Sequence, residues 1–330
     1  HQRAVPVEAM SRTGITRALV LSDGRPGHFN QSIALCRLLG VAFEVVEVSF
    51  RSGLARAVSH LFDFFQLRSE SLLRVGEFEG DCQLVVSAGS RTYYANKVLA
   101  AKLGARSVAV LAPRGYRWDY DCLVIPDYDA VKPLPQVVTT PVNLSYLDER
   151  LVAKRVAEFR ERHPAGDKPA WGVLIGGDSG GSKMDAGKMV AALDRIEAMR
   201  TGEELWVTTS RRTPAEVETD LRGRPVDFLH LYSEEAYNPI PSFVQLCDRL
   251  FVTGDSTAML SECVTAGSAA VDVLLVANKT EAKQHRFVRR LARPGAVTVF
   301  CEGDGLARAK VDLSEVATEV WERLAGEEHF

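Results

Sequence analysis

Asp23 and His28 stand out among the residues able to do chemistry. They sit in Ser22-Asp23-Gly24-Arg25-Pro26-Gly27-His28-Phe29-Asn30-Gln31, directly after an apolar run. Either side chain could take a proton from an acceptor hydroxyl, work that needs a carboxylate or imidazole within hydrogen-bond reach. Gly24, Pro26 and Gly27 make a tight turn that lets backbone approach a ligand, and the helix that follows with Asn30 and Gln31 offers free N–H groups. As a base, Asp23 ranks ahead of His28. The bland alternative is that Asp23 stabilises the turn and His28 caps the helix. A second small-residue turn, Ser87-Ala88-Gly89-Ser90-Arg91-Thr92, also opens a helix. There Ser90 or Thr92 could cap, and Arg91 could reach an anion or simply be solvated.

The second half carries a glycine-rich loop, Gly176-Gly177-Asp178-Ser179-Gly180-Gly181, which lacks the spacing of a Walker A motif. It is followed by Thr209-Ser210-Arg211-Arg212-Thr213-Pro214. Pro214 suits a first helical turn, Thr213 suits its N-cap, and the arginines fall where a diphosphate would meet that turn. The strongest segment runs from Leu250 through Gly254-Asp255-Ser256-Thr257-Ala258-Met259 to Ser261-Glu262 and Gly267. A strand leads into Asp255, and a helix starts near Ser256 and stops at Gly267. Its first turn presents unpaired amides and partial positive charge, which suits a leaving diphosphate. Glu262, one and a half turns on and among apolar Met259, Leu260 and Val264, can accept from both hydroxyls of a ribose. The alternative makes Asp255 a helix cap and Glu262 a surface residue.

Other chemistry is poorly represented. The formal charge of −3 leaves no cationic excess for neutralising nucleic-acid phosphates. The six cysteines are scattered and read as reduced, core-filling thiols. No Cys/His cluster has metal-ligand spacing, and Asp127-Tyr128-Asp129 has the spacing of a metal-binding D-x-D but lies in the wrong half. Neither metal nor cofactor is expected.

Short β-branched runs alternate with helical stretches along all 330 residues. That pattern implies α/β architecture with parallel sheets built from βαβ units. The charged helix over 147–163 and the breaker run Pro164-Ala165-Gly166-Asp167-Lys168-Pro169 place a boundary between two Rossmann-like domains, 10–163 and 164–312. The first would bind the acceptor and the second the nucleotide. A last segment, 313–330, would form a helix returning to the first domain. Ligands of open α/β sheets lie beyond the carboxyl ends of the strands, where the motifs above fall.

Taken together, these blocks resemble the mitochondrial-fission "elongated mitochondria" family, whose bacterial members look like GT-B glycosyltransferases. The landmarks are Asp23 to His28 with Asn30-Gln31, Ala88 to Thr92, Pro113-Arg114, Gly176-Gly177, Thr209 to Pro214, Asn238-Pro239, and Asp255-Ser256 through Met259 to Ser261-Glu262. The last block is also similar to the nucleotide site of UDP-GlcNAc 2-epimerase and of the GlcNAc transferase that forms lipid II. There a glutamate at the Glu262 position binds ribose. Pro126-Asp127-Tyr128-Asp129 departs from the family's Pro-x-His-Asp, and Pro141 stands where a glycine is common; both lie on the acceptor side.

The resemblance implies a GT-B fold, two Rossmann-like domains facing across a cleft. It also implies metal-independent transfer from a nucleotide-sugar, a UDP-sugar by preference, to a hydroxyl of a glycan or lipid-linked acceptor. Arg114 joins Gly89, Ser90 and Arg91 on the acceptor side, and Asn238 joins the donor side. The rival readings are a non-hydrolysing epimerase and a scaffold without catalysis. The stretch 54–73, with aromatics among arginines, could rest on an anionic membrane. No run reaches the length of a membrane span. The segment 1–9 precedes Met10 and reads as a leftover extension, not a signal peptide. The expected location is the cytoplasm, with peripheral contact at the inner face of the membrane as an option.

Overall fold

The computed structural model describes residues 10, 11, 13–304 and 306–326. The leading extension 1–9 and the end of the segment 313–330 lie outside the described residues. The chain divides into two compact units: residues up to Tyr146 with those from Asp312 onward, and Leu147–Val311.

In the first unit a seven-stranded sheet has the order β3-β2-β1-β4-β5-β6-β7. Its strands are β1 (Arg17–Ser22), β2 (Ala42–Phe50), β3 (Leu73–Val75), β4 (Leu84–Ala88), β5 (Arg106–Val110), β6 (Cys122–Pro126) and β7 (Val137–Thr140). All pairs are parallel except β2 with β3 at the edge. Residues 18–21 and 84–88 are buried without alternation, as strands covered on both faces must be. The crossovers include α1 (Pro26–Leu39), α2 (Gly53–Phe64) and α3 (Tyr93–Leu103).

The second unit holds β8 (Ala170–Leu174), β9 (Glu204–Thr208), β10 (Phe228–His230), β11 (Arg249–Thr253), β12 (Ala270–Leu274) and β13 (Thr298–Val299), in the all-parallel order β10-β9-β8-β11-β12-β13. Its helices are α4 (Glu149–Arg162), α5 (Ala186–Met199), α6 (Ala215–Arg222), α7 (Ile240–Leu246), α8 (Thr257–Thr265) and α9 (Ala282–Ala292). Strand order reverses beside β1 and beside β8, so each sheet has one switch point where the flanking connections diverge and leave a crevice. The edge strands β3, β7 and β13 were not read from the sequence; each is only two to four residues long.

One boundary is corrected. The helix that ended the first domain in the sequence reading belongs to the second unit. Its buried residue, Phe159, packs at 4.9 Å centroid distance against both Trp206 and Phe228. The breaker run 164–169 is therefore a turn inside the second unit, between α4 and β8. The last helix, α10 (Ser314–Ala325), belongs to the first unit, where it packs on α1, β6 and β7 and buries Val320, Trp321 and Leu324. Among the described residues no helix is long and apolar enough to cross a membrane.

Candidate functional site

In the first unit the switch point brings the turns after β1 and β4 together. Asp23 Oδ1 accepts from the Arg25 amide at 3.1 Å, so it does stabilise the turn. Its Oδ2 faces His28 Nδ1 at 2.9 Å. The Asp23 side chain is 1% exposed and that of His28 28% exposed, which leaves the imidazole as the member a substrate can reach. The dyad does not support ranking Asp23 first as base. A buried carboxylate on Nδ1 fixes the ring's orientation and leaves Nε2 able to accept a proton. His28 is no cap either, since the N-cap position of α1 is Arg25, without a side-chain bond. Gly89, at φ +98°, closes the site from the β4 side, where a Cβ would stand 2.4 Å from His28 Nδ1.

The remaining acceptor-side residues spread more widely. Gly24, Gly27 and Asn30 are exposed at the turn, and Gln31 donates to the Gly27 carbonyl at 3.2 Å. Ser90 is exposed and accepts from Arg56, and Arg91 is exposed. Thr92, not Ser90, takes the N-cap position of α3. Its hydroxyl donates to the carbonyls of Ala88 and Gly89 instead of capping. Arg114 lines a separate open cavity of about 380 Å³ with Trp118, Asp129 and Lys132.

In the second unit three strand ends converge. Gly177 N donates to Asp255 Oδ2 at 3.0 Å, tying the loop after β8 to that after β11. Arg212 joins from the loop after β9: its Nη2 reaches Asp255 Oδ2 at 3.2 Å and its Nη1 the Asp178 carbonyl at 2.6 Å. Thr213 is not the cap of α6, whose N-cap is Pro214. Its hydroxyl donates to the Gly176 carbonyl at 2.5 Å and accepts from the Ser210 amide at 2.9 Å. Gly177 lies so close to this loop that a Cβ would fall 1.9 Å from the Arg212 carbonyl oxygen. Arg212 is thus committed to the scaffold, while Arg211 is exposed and its guanidinium is free among the described residues.

Helix α8 starts as expected, with Ser256 Oγ accepting from the Met259 amide at 3.2 Å. Asp255 is no cap; its side chain is 7% exposed, and its Oδ1 is buried with no hydrogen-bond partner among the described residues. Met259 and Ser261, expected to touch ligand, turn inward, and the Ser261 hydroxyl donates to the Thr257 carbonyl at 2.6 Å. Leu260 and Val264 are likewise core residues, so the apolar neighbours do not wall in Glu262. Glu262 shares the open face of α8 with Ala258, and both are exposed. Although the residue as a whole is exposed, protein around the Glu262 carboxyl desolvates it and raises its pKa to about 7. The hollow behind Asp255, lined by Gly177, Met184, Val276 and Gln284, holds about 10 Å³. That is room for one water-sized group. Asn238 is exposed and accepts from the Ile240 amide at 3.1 Å.

Sequence reading missed the polar frame under this site. Buried His230 bridges Thr208 Oγ1 at 2.8 Å and the Glu235 carbonyl at 2.7 Å. Burial alone would raise the Glu218 pKa, but hydroxyls of Ser233 and Thr209 hold it below the usual carboxylate range. The signal was present in Thr208-Thr209 at a strand end, where hydroxyls often seek partners. Among the described residues no group of three or more His, Cys, Asp or Glu could hold a metal ion.

Two Rossmann-like units, each built on a sheet that is parallel apart from the β2–β3 edge pair, define an α/β protein. The family profile described as Mitochondrial fission ELM1 matches residues 26–324, and the chain belongs to that family. No curated protein matches it. Among solved structures it is similar to E. coli ADP-heptose lps heptosyltransferase II, at TM-score 0.43 and 10% identity over 78% of this chain and 84% of that one. It is also similar to Methanocaldococcus jannaschii UDP-GlcNAc 2-epimerase in complex with UDP-GlcNAc and UDP, at TM-score 0.47 and 9% identity over 94% and 99%. A third is a UDP-glucosyltransferase from Polygonum tinctorium, at TM-score 0.46 and 10% identity over 95% and 94%.

Proposed function

We propose that the chain is a glycosyltransferase that binds a nucleotide-sugar on the open face of α8 and transfers the sugar to an acceptor hydroxyl. The observation that carries this is the convergence of Gly177, Arg212 and Asp255 beside the start of α8. It ties three strand-end loops together and, among the described residues, leaves the Arg211 and Glu262 side chains uncommitted. Ser256 and Glu262 are six residues apart, about 9 Å along a helix axis, a span that suits a diphosphate and the ribose esterified to it. In this reading the first-turn amides of α8 and Arg211 receive charge from the departing diphosphate. Glu262 accepts from the ribose hydroxyls, and His28, held by Asp23, takes the acceptor's proton. The resemblance of the block 255–262 to UDP-sugar sites favours a UDP-sugar donor, and a glycan or lipid-linked hydroxyl is the acceptor class.

Calorimetry with a panel of UDP-, ADP-, GDP- and CDP-sugars tests the proposal, followed by the same titration with Glu262→Ala. Loss of charged hydrogen bonds to ribose predicts weakening by about tenfold to a hundredfold. A variant that binds as tightly as the parent would remove the site.

A further inference from the structure

Helix α2 is built inside out. Leu54, Ala57, Val58, Leu61, Phe64 and Phe65 follow the spacing of one helical face, yet that face looks to solvent, with Leu54 74% and Phe64 65% exposed. The fully buried side of the helix is small and polar, Ala55, Ser59 and Asp63, with Phe62 packed on the core beside it. Ser59 Oγ meets the Tyr116 hydroxyl at 2.8 Å. Asp63 Oδ1 accepts from Lys97 at 2.7 Å, and its Oδ2 accepts from the Arg117 amide at 2.7 Å. These bonds, with Phe62 on the core and the His60 ring stacked on Tyr116 at 4.2 Å, anchor the helix from its inner side, so the outward apolar stripe is not what holds it in place. Water gains nothing from such a stripe, and a contiguous apolar surface of this kind marks an interaction face.

The charges around the stripe choose the partner. Between Arg51 and Arg68 the only carboxylate is Asp63, which is buried under the helix. Arg51 and Arg56 are exposed, and among the described residues they bond only neutral oxygens, the Leu73 carbonyl and the Ser90 hydroxyl, with no carboxylate paired to either. Arg91, next to Ser90, adds a third exposed cation. A second copy of the chain docked on this face would set cation against cation. An anionic bilayer takes both features, apolar side chains at its acyl boundary and guanidinium groups at its phosphates. We propose that α2 lies in the surface of an anionic phospholipid membrane, with Phe64 and Phe65 inserted and Arg51 and Arg56 on headgroup phosphates. This stands apart from the nucleotide reading and needs none of its residues.

The full chain is to be sedimented with vesicles of phosphatidylcholine alone and of phosphatidylcholine mixed with phosphatidylglycerol. The variants are Phe64→Ser/Phe65→Ser and Arg51→Gln/Arg56→Gln. All four positions are surface ones, and circular dichroism checks that the fold is kept. The expected result is binding to the mixed vesicles that falls with added salt, weakened about tenfold or more in each variant. Three results would each overturn the proposal: no sedimentation of the parent at low salt, undiminished binding of the Phe variant, or light scattering showing a dimer that this variant abolishes. The last would give the face to a second copy.

Discussion

At the scale of single residues, Glu262 and His28 invite measurement. A carboxyl raised from 4.5 to about 7 holds its proton more tightly when folded than unfolded. Its contribution to stability therefore declines as pH rises across that window. A ribose bound by the ionised carboxylate behaves oppositely. Affinity for a UDP-sugar, whose diphosphate does not titrate there, should strengthen as pH climbs through about 7, and Glu262→Gln should flatten the profile. Calorimetry at several pH values checks this. For catalysis, His28→Ala should cost on the order of 10²–10⁴-fold in transfer rate, and Asp23→Asn less, because the ring keeps a hydrogen-bond acceptor. If Asp23→Asn proves the more damaging in a sugar-transfer assay, Asp23 regains the role of base. Both residues were visible in the sequence because they flank a glycine turn at a strand end. Their order was not, since Gly89, which closes on the His28 ring, lies about sixty residues along the chain, and no spacing reports which of the pair is buried. Glu262 was singled out for a partly wrong reason: its apolar neighbours face the core, and the residue is open because helical geometry turns it away from them.

At the scale of elements, the three loops beside α8 behave as one piece. Gly177→Ala drives a Cβ into the Arg212 carbonyl, and such overpacking costs about 1–3 kcal/mol. We expect a lower midpoint of urea unfolding for the second unit together with weaker nucleotide binding; an unchanged midpoint would mean that the loops give way freely. The strands that bear these loops were legible as β-branched runs bounded by glycine, aspartate and proline. The Ser256 cap was legible too, because a serine just ahead of a helical pattern has a local job. Thr213 looked equally local and was not. The geometry that decides its partner belongs to Gly176, on another strand, and no spacing along the chain reports that distance.

At the scale of the molecule, the boundary was misplaced because composition marks turns more clearly than it marks which core a helix joins. A single buried phenylalanine, Phe159, commits α4 to the second unit. Trp321, fully buried in α10, commits the chain's last helix to the first. Trp321→Ala should cost about 3–5 kcal/mol. Hydrogen exchange should then quicken in peptides from β1, β6 and β7 while those from β8 and β11 keep their protection; equal loosening of both sets would contradict the division. The same return of the chain has a consequence for biosynthesis. Everything the second unit needs has been translated by Val311, whereas the sheet translated first still lacks the helix that covers β6 and β7. Translation order and completion order are reversed, so a chain truncated after residue 311 and released would carry a complete carboxyl-side unit behind an older sheet still bare on one flank. Such a fragment would give a holding chaperone more to bind than the full chain does.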